Sequence, residues 1–327
     1  MGCTYWSDDH YRDRESLRRA TGKDAFEYHA ANARLPLSQQ RVHKLMDPKG
    51  VRFRERRDSD AHPDSRAVAV LFDVTGSMNM VPRILQKNLC QLMGLLVRKN
   101  YLVDPQILIG AIGDATCDRA PLQIGQFESG IEIDDNLARL WLEGGGGGQQ
   151  TESYELGMYF LARKTAIDCY EKRGRRGYLF LIGDEMPYRY LKRKEVKAVI
   201  GDRLQADIPV EELVRELEVK YDTYFILPNL TSHYNDAKIH RRWVQLLGQN
   251  VLRLDDPEGI SELIASTIGL AEEAVDLDGV ADDLHEAGRG GVSRAVSRAL
   301  MPLAEAGPRS LAVSPSDLGP DAGLTRL

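Results

Sequence analysis

The sequence predicts an open α/β fold, with a doubly wound, mostly parallel six-stranded sheet that has helices on both faces. Short, wholly apolar segments such as 67–72 and 178–182 are typical of strands buried on both faces of a parallel sheet. Segments with helical periodicity, such as 81–99, lie between the apolar segments. Strands that alternate with helices in this way indicate a parallel sheet covered by helices.

The main domain is predicted to span residues 65–275. Its strands are expected in the segments 67–72, 106–112, 121–127, 178–182, 223–227 and 251–254. Its helices are expected in the segments 81–99, 134–142, 153–170, 210–219, 241–247 and 260–274. The connection between the second and third strands is too short for a crossover helix, which favours a hairpin at that point.

Two flanking segments differ from the main domain in composition. Residues 1–64 form a charged arm that is expected to be partly helical over 7–32 and basic over 41–57. We interpret the arm as a solvated segment packed loosely on the main domain, with docking of an acidic partner or of nucleic acid as the alternative. Residues 276–327 are rich in Ala, Gly, Ser and Pro, so a flexible low-complexity tail is expected, with one helical patch near 292–303.

The composition excludes several classes of function. A formal net charge of −6 over 327 residues gives no overall attraction to nucleic acid, which is therefore not an expected partner. No segment approaches the roughly eighteen unbroken apolar residues of a membrane span, and the polar N-terminus lacks the apolar region of a signal peptide. The four cysteines form no CxxC pair, so disulfides are not expected. These features favour a cytoplasmic protein without a membrane partner.

Carboxylates directly follow three of the predicted strands. Asp73 follows the first strand, Asp114 the second, and Asp184 and Glu185 the fourth. In an open α/β sheet the carboxyl ends of the strands form the binding edge, so these side chains are expected to gather there. Carboxylates that gather without compensation repel each other, and a bound cation removes that cost. A set of carboxylates and hydroxyls selects a hard ion such as Mg²⁺, Mn²⁺ or Ca²⁺ over zinc.

The segment 73–77, which reads Asp-Val-Thr-Gly-Ser, resembles the DxSxS signature of von Willebrand factor A domains. That signature opens the metal-ion-dependent adhesion site of the family. The resemblance covers roughly residues 65–275 and implies the Rossmann-like fold of these domains. It also implies two further metal ligands, a Thr in a glycine-rich loop and an Asp that ends the fourth strand. Thr151 follows the run of five glycines at 144–148, and Asp184 ends the fourth strand.

The metal ligands implied by the resemblance are Asp73, Thr75, Ser77, Thr151 and Asp184. In such a site Thr75 and Ser77 would bind the ion directly. Asp73 and Asp184 would bind largely through water, and Thr151 would bind in one conformational state only. Thr75 stands where the commoner residue of the family is Ser, which preserves the hydroxyl ligand.

Further acidic residues are candidates for contacts just outside this ligand set. They are Asp114, Asp118, Glu152 and Glu185. For each of them, a solvated charge in a loop is the alternative interpretation. The long glycine run also leaves room for Glu152 or Ser153 to take the place of Thr151.

The function implied by the resemblance is metal-dependent protein–protein interaction and not catalysis. Such an adaptor would bind a carboxylate of a protein partner through the ion. Intracellular bacterial members of the family often act with AAA+ ATPases of the MoxR or chelatase type, so an ATPase of this type is an expected partner.

Other sites fit the sequence less well. A metal-dependent phosphohydrolase of the haloacid dehalogenase type is the alternative, since these enzymes also place an Asp after the first strand and Gly-Asp after the fourth. Their general acid would stand at position 75, where Thr cannot donate and recover a proton near neutral pH. No GK[ST] follows the glycine run, which argues against a P-loop. The seven histidines are scattered without ligand spacing, so His233 and His240 are expected on the surface.

Overall fold

The computed structural model describes residues 4–145 and 150–306 of the chain, except for the side chains of Ser77, Asn79, Ser232 and Ala306. Its strands are β1 (Arg54–Arg56), β2 (Arg66–Asp73), β3 (Pro105–Ile112), β4 (Leu122–Glu128), β5 (Thr151–Glu152), β6 (Thr165–Ile167), β7 (Gly177–Ile182), β8 (Met186–Pro187), β9 (Tyr190–Leu191), β10 (Ile208–Pro209), β11 (Tyr221–Pro228) and β12 (Val251–Leu254). The main sheet has six strands in the order β12-β11-β7-β2-β3-β4. The other strands form two-stranded sheets at its margins.

The helices are α1 (Asp8–Thr21), α2 (Glu27–Asn32), α3 (Met80–Lys87), α4 (Leu89–Met93), α5 (Glu132–Ala138), α6 (Tyr154–Lys164), α7 (Asp168–Glu171), α8 (Arg193–Val199), α9 (Val210–Glu218), α10 (Ala237–Leu247), α11 (Ile260–Ala271), α12 (Leu277–Glu286) and α13 (Gly290–Ala306). Short 3-10 turns occur at Leu37–Gln39, Gly76–Asn79, Ser232–Asn235 and Pro257–Gly259, and a π-helical turn at Gly94–Arg98. Of the helices in the described ranges, none combines the length and apolarity needed to cross a membrane.

The central strand β2 pairs in parallel with β3 on one side and with β7 on the other. Every residue of β2 is buried, because apolar cores lie on both faces of the sheet. Side chains of a strand point alternately to its two faces. Those of Val68, Val70 and Phe72 belong to one core, and those of Ala67, Ala69 and Leu71 to the other.

The main sheet is mixed, which corrects the predicted architecture. We predicted a doubly wound, mostly parallel sheet of Rossmann-like type, and this prediction is wrong. Strand β4 runs antiparallel to β3, from Ile107 opposite Glu128 to Ile112 opposite Leu122, with an irregularity in the register. The physical reason is the short connection 113–121, which cannot hold the crossover that a parallel return requires. The hairpin predicted from that connection is confirmed.

The strand order reverses direction between β2 and β7. From β2 the chain proceeds to β3 and β4 on one side, and the later strands β7, β11 and β12 lie on the other side. Phe72 of β2 is opposite Ile182 of β7 in the parallel register. The loops that follow these two residues therefore leave the sheet side by side, at the position where such sheets bind ligands.

Two predicted helices are interrupted in the structure. The segment 81–99 is divided into α3, α4 and the π-helical turn, with the break at Asn88, whose ψ of 18° is not helical. The segment 153–170 is interrupted by β6, because Thr165–Ile167 pairs in parallel with β1 of the N-terminal arm. This pairing joins residues far apart in sequence and overrides the local helical periodicity.

The N-terminal arm is attached to the main sheet by specific contacts. The guanidinium of Arg18 on α1 donates to both carboxylate oxygens of Asp134, at 3.0 and 2.7 Å, and the side chain of Asp134 is fully buried. The buried hydroxyl of Tyr11 donates to the backbone carbonyl of Gln86. The arm is thus packed more closely than the sequence suggested.

Residues 277–306 form the helices α12 and α13, where the sequence predicts a flexible tail with one helical patch near 292–303. The helical patch lies within α13 and is confirmed. Val280 and Leu284 of α12, and Val296 and Leu300 of α13, are fully buried in the core that also contains Val68. The Ala-rich composition of this segment therefore reflects helix packing. The rest of the predicted tail, 307–327, lies outside the described residues.

Candidate functional site

Asp73 ends β2 and holds the loop that follows it. Its side chain is fully buried, and its Oδ1 accepts hydrogen bonds from the backbone N–H of Thr75 at 2.6 Å and from the hydroxyl of Thr75 at 2.5 Å. Its Oδ2 accepts a hydrogen bond of 3.3 Å from the hydroxyl of Tyr154. A hydroxyl that donates its proton keeps its lone pairs. The oxygen of Thr75 can therefore still accept from a donor or bind a cation.

The start of the glycine-rich segment contacts this loop through its backbone. Gly144 donates its N–H to the carbonyl of Val74 at 3.3 Å, and Gly76 donates to the carbonyl of Gly145 at 3.1 Å. A Cβ atom on Gly145 would lie 2.1 Å from Oδ1 of Asp118. Glycine at position 145 thus allows the Asp118 carboxylate to lie directly against the loop.

Asp184 follows β7 and is 4% exposed. Its Oδ2 accepts a hydrogen bond from the hydroxyl of Thr231, and Nδ1 of His233 lies 3.4 Å from the same oxygen. Thr231 belongs to the loop after β11, the strand beside β7. His233 and His240, both predicted at the surface, are half-buried, and His233 keeps 29% of its side chain exposed. The spacing of His233 and Asp184 in the sequence gives no indication of this contact.

The short strand β5 brings Thr151 and Glu152 beside the loop after β7. Thr151 is opposite Met186 and Glu152 is opposite Pro187 in a parallel pair of strands. Glu152 is 1% exposed, and its Oε2 has no hydrogen-bond partner among the residues that the structure describes. A buried carboxylate oxygen without a partner is destabilising. A proton or a cation at this oxygen would remove that cost.

Asp114 and Asp118 are ordered by hydrogen bonds, which distinguishes them from solvated loop charges. Asp114 is fully buried, and each of its carboxylate oxygens lies 3.1 Å from the donating hydroxyl of Tyr188. Its Oδ1 also accepts from the backbone N–H of Thr116 at 2.8 Å. Oδ2 of Asp118 accepts from the backbone N–H of Asp114 at 2.7 Å. These contacts shape the loop after β3.

Burial and mutual repulsion raise the pKa of three carboxyl groups at this edge. Burial, with the charges of Asp184 and Glu185, raises the pKa of Asp73 to about 8, although the hydrogen bonds from Thr75 act in the opposite direction. Burial, with the charges of Asp73 and Glu185, raises the pKa of Glu152 to about 10. Burial, with the charge of Asp184, raises the pKa of Glu185 to about 7. Without a bound cation, the protein therefore disfavours the ionised form of these three carboxyl groups.

No protein-family model matches the chain, and no curated protein sequence matches it. Among solved structures, it is similar to the pilus adhesin SpaC from Lactobacillus rhamnosus GG in its open conformation, over 65% of this chain and 31% of the adhesin, with 8% identity and a TM-score of 0.46. It is also similar to proximal thread matrix protein 1 from the mussel byssus, over 65% of this chain and 50% of that protein, with 12% identity and a TM-score of 0.42. The chain spans half or less of the length of both proteins.

Two parts of the predicted ligand set lie outside the described residues. One is the side chain of Ser77, whose backbone belongs to the 3-10 turn Gly76–Asn79. The other is the segment 146–149 of the glycine-rich loop, just before Thr151. Within 4–145 and 150–306, no three His, Cys, Asp or Glu side chains are arranged as a preformed metal-binding group.

The oxygen donors that the structure describes at the carboxyl ends of β2 and β7 nevertheless suit a hard cation. They are the carboxylates of Asp73, Glu152 and Asp184 and the hydroxyl of Thr75, all of them buried oxygen donors. Thr151 adds a half-buried hydroxyl. Oxygen donors of this kind are the ligands of Mg²⁺ and Ca²⁺ in proteins. The unpartnered oxygen of Glu152 is the point at which the residues fit an ion best.

Three side chains that hydrogen-bond to the predicted carboxylates do not stand out in the sequence: Tyr154, Tyr188 and Thr231. Thr231 could have been found, because it follows a predicted strand as the carboxylates do. Tyr154 was included in a predicted helix, which does not reveal that its hydroxyl reaches the end of β2. Tyr188 lies in a segment that carries no periodic signal.

Proposed function

We propose that this chain binds a divalent cation at the carboxyl ends of β2 and β7 and, through the cation, a carboxylate of a protein partner. The proposed ligands are Asp73, Thr75, Ser77, Thr151 and Asp184, with Glu152 as an additional ligand. The observation that carries the proposal is the buried Oε2 of Glu152, which lacks a hydrogen-bond partner within the described part of the chain. The resemblance of residues 73–77 to the adhesion-site signature of von Willebrand factor A domains supports the same site.

The charges around the buried carboxylates at this edge of the sheet support the binding of a metal cation. Among the side chains that the structure describes, no lysine or arginine forms an ion pair with Asp73, Glu152, Asp184 or Glu185. The imidazole of His233 lies 3.4 Å from the carboxylate of Asp184. Buried carboxylates are usually paired with a positive group or bound to a metal. A divalent ion would supply that positive charge.

The neutral and charged donors would have different roles. The hydroxyls of Thr75, Ser77 and Thr151 bind without adding negative charge, which leaves the ion able to accept a carboxylate from another molecule. Glu152 adds a negative charge to the set implied by the resemblance, so it would strengthen retention of the ion. Tyr154 and Thr231 hold Asp73 and Asp184 by hydrogen bonds and fix the directions of their oxygens.

The phosphohydrolase alternative has no comparable support. The backbone N–H and the hydroxyl of Thr75 both donate to Oδ1 of Asp73, at the position where that chemistry requires an acid. The partner is therefore proposed to be a protein with an exposed Asp or Glu. An AAA+ ATPase of the MoxR or chelatase type is the first partner to test.

Metal binding can be tested by thermal unfolding in Mg²⁺, Mn²⁺ or Ca²⁺ and in EDTA. The wild-type midpoint should rise with metal, and Asp73→Asn and Asp184→Asn should abolish the rise. Asp255→Asn is the matched control, because Asp255 directly follows β12, two strands away from β7. The control should respond to metal as the wild type does. If no metal shifts the wild-type midpoint, the proposal is wrong.

Partner binding can be tested with a purified AAA+ ATPase and with a labelled glutamate-containing peptide. Binding should require the metal, disappear in EDTA and be absent in Asp184→Asn. Equal binding with metal and with chelator would argue against an ion between the two molecules.

A further inference from the structure

A basic pocket lies next to the carboxylate group of the candidate site. It is a cavity of about 640 Å³ between the segment Met186–Tyr190 and helix α10, with Thr151 at its margin. Its lining includes four cationic side chains, those of Arg189, Lys238, Arg241 and Arg242. A concentration of positive charge at this position contrasts with the net charge of −6 of the whole chain.

The helix α10 presents this positive charge through its periodicity. Lys238, Arg241, Arg242 and Gln245 line the pocket and are spaced three or four residues apart, so they share one face of the helix. The opposite face carries the buried side chains of Ile239, Trp243 and Leu247. The apolar face holds α10 on the sheet, which fixes the cationic face toward the pocket.

Three of the four cationic side chains form no ion pair with the residues that the structure describes. Nη2 of Arg242 pairs with Oε1 of Glu211 at 2.8 Å. The side chains of Arg189, Lys238 and Arg241 are exposed and form no ion pair or hydrogen bond with any residue in the described ranges, although the backbone N–H of Lys238 donates to Oδ1 of Asp236 at 2.7 Å. Unpaired cations that converge on one cavity are available to an anionic ligand.

The pocket and the carboxylate group are joined by direct contacts. The indole N–H of Trp243, on α10, donates to the backbone carbonyl of Glu185 at 2.8 Å. Thr151 lines the pocket and also neighbours Glu152 in β5. An extended ligand could therefore contact the site of the proposed ion and the basic side chains at the same time.

We infer that the pocket binds an acidic segment of the protein partner. One carboxylate of that segment would lie at the proposed ion, and its further carboxylates would pair with Arg189, Lys238 and Arg241. The inference rests on the proposed function for the position of the first carboxylate only. A peptide suits this arrangement better than nucleic acid, because its carboxylates can be separated by uncharged residues, whereas a nucleic acid carries a phosphate at every nucleotide and the pocket lining also includes the carboxylate of Glu211. The exposed ring of Tyr190 and the side chain of Met186 offer apolar contact between the charges.

The test uses the full chain and a fluorescein-labelled peptide of alternating glutamate and glycine, measured by fluorescence anisotropy in Mg²⁺. The double charge reversal Lys238→Glu/Arg241→Glu should weaken binding by on the order of tenfold or more and should reduce its dependence on salt. Lys197→Glu/Arg203→Glu is the matched control, because both residues are exposed and lie outside the pocket. It should bind the peptide as the wild type does. Arg189→Ala, in an exposed loop, provides a second and milder variant.

The outcomes separate this inference from the proposed function. If the double reversal and Arg189→Ala bind the peptide as tightly as the wild type, the inference is wrong even where Mg²⁺ still raises the unfolding midpoint. It is equally wrong if an oligonucleotide of matched charge binds more tightly than the peptide and loses affinity in the same variants. If Mg²⁺ does not shift the unfolding midpoint of the wild type but the double reversal still weakens peptide binding, the inferred peptide pocket is supported and the proposed metal site is wrong.

Discussion

The hydroxyl of Tyr154 occupies the space beside Gly183 where any other residue would place its Cβ atom. A Cβ atom at Gly183 would lie 1.8 Å from that hydroxyl oxygen and 2.7 Å from the ring carbon that bears it. The ring of Tyr154 cannot move away, since it packs edge-on against Phe225 and Trp243 with ring centroids 5.9 and 5.2 Å apart. Gly183 therefore permits the contact between Tyr154 and Asp73.

Gly183→Ala should destabilise the protein by about 1–3 kcal/mol, because it overpacks a rigid core. Tyr154→Phe removes the hydroxyl, so the double variant should recover part of this loss. Urea denaturation of both single variants and the double variant measures the coupling. Strictly additive effects would show that the hydroxyl and the glycine do not interact.

Glu152→Gln should have opposite effects with and without metal. In EDTA the amide removes a buried carboxyl group that lacks a partner, so stability should rise by about 1–2 kcal/mol. In Mg²⁺ the variant should lose most of the wild-type gain, because a charged ligand is gone. Thermal unfolding in both solutions measures the two effects. Glu212→Gln, an exposed residue on α9, is the control and should change neither value. A variant that is less stable than the wild type in EDTA would contradict the role assigned to Glu152.

Asp168 should make folding stability depend on pH in the acid range. Burial alone would raise its pKa, but hydrogen bonds from Lys172 at 2.7 Å, Arg57 at 2.8 Å and the backbone N–H of Asp58 at 2.9 Å lower the pKa of Asp168 to about 2. The unfolded chain has a pKa near 4 at this residue. The contribution of Asp168 is therefore complete above pH of about 4 and is lost as the pH falls through about 2.

Asp168→Asn should accordingly lower the free energy of unfolding by about 1–2 kcal/mol at neutral pH. The difference from the wild type should shrink as the pH falls from about 4 to about 2, as measured by urea denaturation across that range. Asp282→Asn, at an exposed position without an ion pair in the described structure, should show no such difference. A pH-independent effect of Asp168→Asn would exclude its ionised form as the cause.

Arg18→Ala should destabilise the protein by about 2–3 kcal/mol, because it removes the main partner of the fully buried carboxylate of Asp134. Arg12→Ala on the same helix is the control, since the side chain of Arg12 is 68% exposed and its ion pairs lie at the surface. Chemical denaturation of both variants measures the difference. If Asp134→Asn, added to Arg18→Ala, restores no stability, the loss does not arise from the buried charge.

The sequence predicted those features that depend on local patterns. The apolar run 67–72 predicts a fully buried strand, and the carboxylates that follow the strands predict the acidic edge. Thr165 shows where such reasoning fails. It lies within a helical pattern, yet its segment pairs with residues 54–56 of the arm, and no local signal contains that partner.

The site shows the same division between local and distant causes. The short loop between Asp73 and Thr75 follows from the spacing of the two residues. The contact of His233 with Asp184 depends on how the loop after β11 returns to the neighbouring strand. The contact of Tyr154 depends on the absence of a side chain at Gly183. Both contacts are set by three-dimensional packing, which spacing along one sequence does not encode.

The two terminal regions of the described chain close the same apolar core. Tyr11 and Phe26 come from the arm, and Leu284 and Leu300 from the last two helices; all four belong to the core that covers one face of the main sheet. A fragment cut to residues 65–275 would expose to water the part of this core that the arm and the last two helices cover. Such a fragment should self-associate, whereas the chain of 327 residues should unfold as one cooperative unit.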